Sequence, residues 1–183
     1  MSLKSYQFKF VVKLLAFLIG AAAVAQEKNL IVIDEDYHNK ESILASVPVS
    51  ETVLQVNSVH SIWDDVYTTL LNDTDIKNIH LFLKTNNSKF EINNAQIGVE
   101  AIDGNLSLQK IRTNDAINRE TTLFVYSCKL ANNTKGIELL NSISRETNFN
   151  VISSKNCTSI FDGSFNFNYS TKGNLVNTNL ILD

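Results

Sequence analysis

The stretch Thr122-Leu-Phe-Val-Tyr-Ser127 is a short apolar run that ends directly before a cysteine, Cys128. Continuous apolar runs of this length are typical of strands that are buried on both faces of a parallel sheet. Comparable runs of strand length occur at residues 30–33, 52–56, 78–83 and 150–153. Because helical patterns separate most of these runs, the sequence predicts a sheet whose strands alternate with helices.

The helical patterns indicate how the sheet is covered. Apolar residues recur at helical spacing in four segments, at residues 40–47, 61–71, 107–117 and 134–147. These segments predict helices on both faces of the sheet. The fold class is therefore a single three-layer α/β domain with a mostly parallel sheet.

The remaining strand patterns are of a different kind. Residues 89–93 and 95–98 predict a small hairpin that turns at Asn93-Asn94. Residues 164–170 alternate strictly, which predicts a half-exposed strand with Phe165, Phe167 and Tyr169 on one face. This strand is expected to form an antiparallel edge near the C-terminus. Residues 172–183 form a tail in which a second alternating pattern predicts a further edge strand.

The first 25 residues have the features of a secretory signal peptide. Three lysines precede an apolar run at residues 14–24, and Ala23-Val-Ala25 matches the small-residue cleavage pattern before Gln26. The alternative, a membrane anchor, normally needs a longer apolar run with a basic flank after it. We therefore expect residues 1–25 to be removed and the protein to be exported to the periplasm, the cell surface or the extracellular space.

Charge restricts the classes of partner. Removing the three leader lysines from the 16 basic residues leaves 13 against 19 acidic residues, a net charge of −6. Nucleic acids and anionic membranes attract basic surfaces, so neither is expected as a partner once the leader is cleaved. The sequence also contains no spacing typical of a zinc site and no phosphate-binding glycine loop, so we expect no metal and no cofactor.

The ends of the third and fourth strands carry the residues that point to chemistry. Ligands of open α/β sheets bind beyond the carboxyl ends of the strands, where Lys84 follows one run and Cys128 follows the next. Adjacent strand ends lie about 5 Å apart. A histidine after the third strand would therefore be in position to activate Cys128 as a nucleophile, but Lys84 occupies that position.

Several short motifs resemble a bacterial family of domains of unknown function, DUF4347, over residues 30–171. Its strand patterns correspond in order to Val32-Ile-Asp34, Ile79-His-Leu81, Tyr126-Ser-Cys128 and the alternating segment at residues 163–171. The resemblance implies a domain of the caspase-like cysteine peptidase fold over residues 29–171. Members of this family often stand at the front of long surface adhesins, which implies a role at the bacterial cell surface.

The chain departs from the family pattern at the positions that matter for catalysis. Lys84 and Thr85 stand where the family has His-Gly, and Ser127 replaces the glycine before Cys128. A lysine side chain is a cation without an acceptor at neutral pH, so Lys84 cannot replace an imidazole base. The loss of both glycines also argues against a tight backbone cradle for an oxyanion.

The three histidines of the chain are poor candidates for the missing catalytic base. His80 lies deeper in its strand and is expected to be a core histidine, and His38 is expected to be solvated in a loop. His60, just before a helix, is the remaining candidate base.

Cys128 then has three interpretations. It is a buried thiol without a present role, one half of a disulfide with Cys157, or a working nucleophile. Export of a chain with two cysteines favours the disulfide.

The sequence thus predicts an exported, catalytically degenerate caspase-like domain that acts in binding or surface interaction with an unidentified protein or envelope partner. Two alternatives stay open: a cysteine endopeptidase that uses Cys128 with a non-standard base such as His60, and a small structural protein of the envelope. The family's adhesin region does not follow within the 183 residues.

Overall fold

The computed structural model describes residues 28–86, 88–117, 120–161, 163, 165–178 and 180, so the predicted leader lies outside the described residues. The strands within them are β1 (Lys28–Asp34), β2 (Thr52–Val56), β3 (Ile76–Phe82), β4 (Lys84–Asn86), β5 (Lys89–Ile92), β6 (Ala95–Ile97), β7 (Thr122–Val125), β8 (Asn150–Ser153) and β9 (Tyr169–Ser170). The α-helices are α1 (Lys40–Ser46), α2 (Ile62–Asn72), α3 (Val99–Ile102), α4 (Leu106–Thr113) and α5 (Thr134–Thr147).

A six-stranded sheet in the order β2-β1-β3-β7-β8-β9 forms the centre of the molecule. Five of its strands are parallel, and β9 pairs antiparallel with β8. Side chains of β1 and β7 are buried on both faces of this sheet, as their continuous apolar sequences require. The predicted three-layer α/β class with an antiparallel edge is confirmed.

The two faces of the sheet are covered unequally. On one face, α2, α4 and α5 pack their apolar residues against alternate strand residues such as Leu30, Leu81 and Val125. On the other face, the cover consists of the short helix α1 and aromatic side chains from the connection between β8 and β9. A cleft at the carboxyl edge of the sheet lies on this thinly covered face.

Three short strands form a second sheet in the order β4-β5-β6, directly after β3. Phe90, Ile92 and Ile97 bury the inner side of this sheet against the larger core cluster. Asn93 and Asn94 both have positive φ angles of 48° and 62°, as a tight hairpin turn between β5 and β6 requires. The predicted hairpin is therefore confirmed, and β4 extends it to three strands.

The C-terminal edge differs from the sequence prediction in extent and in facing. Phe165 and Phe167 pack on the aromatic face of the main sheet, whereas Tyr169 packs against the helical face and bonds Asn141 on α5. The amide of Asn168 donates to the Ser153 carbonyl, although Tyr169 is opposite Ser153 in the ladder. The side-chain alternation is therefore interrupted between Phe167 and Tyr169, where β9 begins.

The tail contains no strand in its described part, residues 172–178 and Leu180. Leu180 is nevertheless buried against the aromatic face. Residues 179 and 181–183 of the predicted further edge strand lie outside the described residues. None of the described helices combines the length and apolarity needed to cross a membrane.

Candidate functional site

The ends of β3 and β7 bring Lys84 and Cys128 to the same edge of the sheet. The ladder pairs Leu81 with Val125, and the Tyr126 amide donates to the Leu81 carbonyl over 3.1 Å. Beyond this point the strands end: Lys84 begins β4, Cys128 lies three residues after β7, and both residues line the same cleft. The two residues thus share one cleft at the carboxyl edge of the sheet.

Cys128 forms a disulfide with Cys157, with a Cα–Cα distance of 4.8 Å. The bond joins the end of β7 to the segment that follows β8, the next strand of the sheet. Both cysteines are half-buried and face an open cavity on the outer side of the bond. Of the three interpretations of Cys128, the disulfide is the one that the structure contains.

Ser127 organises the turn around Cys128. Its hydroxyl lies 3.3 Å from the backbone amides of both Lys129 and Leu130, which donate to it, and 3.0 Å from the hydroxyl of Thr85. The two amides that follow Cys128 are thus occupied by a side-chain acceptor. They are not available to stabilise a negative charge that develops on a ligand.

A cleft of about 420 Å³ opens beside these residues, a volume within the range of small-ligand pockets. Its lining residues come from four segments that meet at the carboxyl edge of the main sheet: Tyr37, His38, Asn39, Leu83, Lys84, Thr85, Tyr126, Ser127, Cys128, Ser159, Ile160 and Phe161. The position agrees with the general rule for open α/β sheets, although the cleft also needs the connection between β8 and β9 as a wall.

Lys84 is the one lysine or arginine among the described residues that line the cleft. Lys84 is exposed and forms no ion pair with any residue in the described part of the chain. The described lining residues include no aspartate or glutamate. Burial raises the pKa of Tyr37 to about 12, so this phenol contributes no negative charge at neutral pH.

The floor of the cleft is built on packed aromatic rings. The ring of Tyr126 stacks on Phe82 at 4.1 Å between centroids and on Phe165 at 5.5 Å. Phe167 meets the Tyr126 ring edge-on at 5.2 Å. A second cavity of about 250 Å³ lies next to the cleft, and the two share Tyr126, Ile160 and Phe161.

His80 is a buried structural histidine, as the sequence predicts. Its Nδ1 lies 3.1 Å from the Tyr126 hydroxyl, its Nε2 lies 3.3 Å from Asn29 Oδ1, and its ring stacks on Phe124. Burial lowers the pKa of His80 to about 3, so the imidazole is neutral in the folded protein at neutral pH. It supports the floor of the cleft from beneath.

The other two histidines lie in different places. His60 is exposed in the loop between β2 and α2, where its amide donates to Ser58 Oγ, and it is not among the described residues that line the cleft. His38 is exposed as expected, but it lines the cleft together with Cys128 and Lys84. Sequence reasoning missed this proximity, because the path of the β1–α1 loop has no periodic signal.

The described residues contain no group of three or more histidine, cysteine, aspartate or glutamate side chains that could hold a metal ion.

A comparison with known protein families identifies the family of this chain. A family model, "Domain of unknown function (DUF4347)", matches residues 30–180. The chain belongs to this family. The matched region covers both strand ends, the disulfide and the cleft. No curated protein and no solved structure matches the chain.

Proposed function

We propose that this chain is an exported, catalytically degenerate domain of the caspase-like fold that acts in binding at the bacterial envelope or cell surface. The cleft at the carboxyl edge of the main sheet is the binding site in this proposal. The leader features of residues 1–25 and the net acidic charge support an exported partner-binding role and argue against nucleic acid.

The disulfide between Cys128 and Cys157 is the observation that carries the proposal. A cysteine peptidase needs a free thiolate, and a sulfur that is bonded to another cysteine cannot attack a carbonyl carbon. Lys84, which stands where the family pattern has histidine, cannot accept a proton from a thiol while it is charged. The occupied amides of Lys129 and Leu130 further weaken the case for hydrolysis.

The test of degeneracy is a hydrolysis assay on the mature chain. The oxidised protein, the reduced protein and Lys84→His are incubated with a diverse peptide mixture, and new termini are identified by mass spectrometry. We expect no cleavage by the oxidised or the reduced wild-type chain. Cleavage by the wild-type chain that Cys128→Ala abolishes would overturn the proposal, whereas cleavage by reduced Lys84→His alone would show that Lys84 is what prevents it.

The test of binding uses a peptide array and two matched tryptophan variants. Ile160→Trp fills the wall that the cleft and the second cavity share, whereas Leu175→Trp adds the same side chain at a site that is 57% exposed. We expect the wild-type chain to bind peptides on the array. The Leu175→Trp variant should still bind them, and the Ile160→Trp variant should not. Signals that survive Ile160→Trp would place binding elsewhere and contradict the proposed role of the cleft.

A cysteine endopeptidase is the second candidate, and His38 is the observation that favours it. His38 lines the same cleft as Cys128, so reduction of the disulfide would give a thiol and an imidazole in one site. The sequence-based alternative uses His60, which lies in the β2–α2 loop. Activity under reducing conditions that His38→Ala removes and His60→Ala retains would support this candidate.

A further inference from the structure

The strand β4 offers an open edge at the mouth of the cleft. It pairs with β5 on one side, and no described strand pairs with its other side. Lys84 and Thr85, the first two residues of β4, both line the cleft. An open strand edge is a template on which an extended peptide adds through main-chain hydrogen bonds.

Charge adds a second requirement for the ligand. Lys84 is exposed, without an ion-pair partner among the described residues, and the described lining contributes no carboxylate. The chain as a whole carries more acidic than basic residues, 19 against 16. A cation that faces an open cleft in an acidic protein favours a ligand with a negative group at that position.

The second cavity adds an apolar requirement. It is lined mainly by Tyr126, Ile160, Phe161, Phe165, Phe167 and Leu180. Three of these side chains also line the cleft, so one ligand can reach both spaces. In an extended peptide, alternate side chains point the same way and lie about 7 Å apart, so a peptide with its negative and apolar groups two positions apart can present both to one side.

We propose that the cleft accepts an extended peptide with an acidic side chain and an aromatic or large aliphatic side chain two positions apart. The peptide main chain pairs with the open edge of β4, the carboxylate meets Lys84 Nζ, and the apolar side chain enters the second cavity. This inference rests on the proposed binding function and names the class of partner that the cleft takes.

Two peptides that differ in one group test the inference. Fluorescein-Gly-Thr-Asp-Thr-Phe-Thr-Gly-amide is compared with the same peptide carrying Asn for Asp, and binding to the mature chain is followed by fluorescence anisotropy. We expect the Asp peptide to bind up to about fivefold more tightly, as for a solvent-accessible ion pair. Replacing Phe by Gly should weaken binding about tenfold or more, because the apolar contact is lost.

Matched lysine variants assign the effect to the cleft. Lys84→Met keeps an unbranched side chain that is one atom shorter and removes its charge, and Lys129→Met does the same at an exposed lysine that lines other cavities. We expect Lys84→Met to abolish the difference between the Asp and Asn peptides and Lys129→Met to retain it.

Equal binding of the two peptides to the wild-type chain would overturn the inference. It would also be overturned if Lys84→Met and Lys129→Met reduced the difference between the Asp and Asn peptides equally. If neither peptide binds but the array shows other peptides that depend on the cleft, the inference fails and the proposed function stands. If the array shows no binding that depends on the cleft, both fail.

Discussion

His80 connects the floor of the cleft to the stability of the whole sheet. Its two ring nitrogens contact Tyr126 and Asn29, and no water reaches the ring, which is 0% exposed. Burial opposes protonation of this imidazole, because a charge at the centre of the sheet would lose its hydration without gaining an ion-pair partner there.

The low pKa of His80 predicts a specific dependence of stability on pH. The folded pKa is about 3, against 6.5 for an ordinary histidine, so between these values the unfolded chain takes up a proton that the folded chain does not. The free energy of unfolding should therefore fall as the pH falls through this window, with a contribution of up to about 1.4 kcal/mol per pH unit.

Urea unfolding at several pH values from 7 to 4 measures this slope. His80→Gln keeps polar atoms near Tyr126 and Asn29 but does not titrate, so its pH slope should be smaller than that of the wild-type chain. His60→Gln, at an exposed site, should leave the slope unchanged. Parallel curves for the wild-type chain and His80→Gln would show that His80 does not control this dependence.

Gly136 is a position at which the addition of one carbon atom should change the stability of the protein. It lies in the first turn of α5, and a Cβ atom built there would be 2.0 Å from the Leu130 carbonyl oxygen. Leu130 begins the short 3₁₀ turn that follows Cys128, so the glycine allows α5 to pack directly against the site. An added methyl group would have to push backbone rather than a flexible side chain.

Gly136→Ala should therefore destabilise the protein, although alanine is the better helix former. The expected loss is about 1–3 kcal/mol in the free energy of unfolding, which is typical of overpacking. Glu138→Ala, at an exposed position of the same helix, is the control and should change stability little. If urea unfolding showed that Gly136→Ala is more stable than the wild-type chain, the turn at Leu130 would be able to move away from the added methyl group, and the prediction would be wrong.

At the scale of elements, the connection between β8 and β9 explains how the cleft keeps its shape. Residues 154–168 contain no strand or helix in their described part, yet they supply the wall of the cleft and of the second cavity. The disulfide at Cys157 and the packing of Phe165 and Phe167 attach them to the sheet, and the Lys155 amide closes the segment on itself by donating to Asn168 Oδ1.

Removal of the disulfide should loosen this connection and lower global stability. The bond closes a loop with a sequence separation of 29, for which chain entropy gives about 3–4 kcal/mol. The double variant Cys128→Ser/Cys157→Ser should lose that free energy of unfolding, and chymotrypsin should cleave it near Phe161 and Phe165. The reduced wild-type chain should behave like the double variant. Equal cleavage rates for the oxidised and reduced wild-type chain would contradict a structural role of the bond.

The sequence was a good guide to the elements with a clear strand or helix pattern. Residues 52–56, 134–147 and 150–153 form the predicted strand, helix and strand with the expected bounds. Their patterns are strong because burial dictates nearly every apolar position. Strand β4 and helix α3 gave no such pattern, since they are three and four residues long. The alternation is interrupted between Phe167 and Tyr169, where β9 begins, and the strictly alternating sequence gives no sign of this.

The candidate site could be predicted only in part, for a related reason. The parallel register brings Lys84, Cys128 and the segment of Cys157 together, and strand order alone suggests this. His38 reaches the cleft because the β1–α1 loop turns on an Asp34 side chain that accepts from the Asp36 amide and on Asn39, with a φ of 63°. Such loop geometry depends on local hydrogen bonds rather than on a repeating pattern.

At the scale of the whole molecule, the export that we propose and the disulfide depend on one another. The stability that the Cys128–Cys157 bond gives is present only where thiols are oxidised, which excludes a reducing cytosol. The leader features of residues 1–25 provide the route to such a compartment in our proposal. A variant that cannot leave the cytosol should therefore also lose the bond and loosen the wall of the cleft.

Expression of the complete chain in a bacterial host tests this coupling. The exported form should begin at Gln26, and its cysteines should resist alkylation until a reductant is added. Leu18→Arg places a charge in the apolar run of the leader and should hold the chain in the cytosol. There both cysteines should alkylate freely, and chymotrypsin should cleave residues 154–168 as in the double serine variant. A cytosolic Leu18→Arg chain with an intact disulfide would contradict this prediction, because the bond would then form without export.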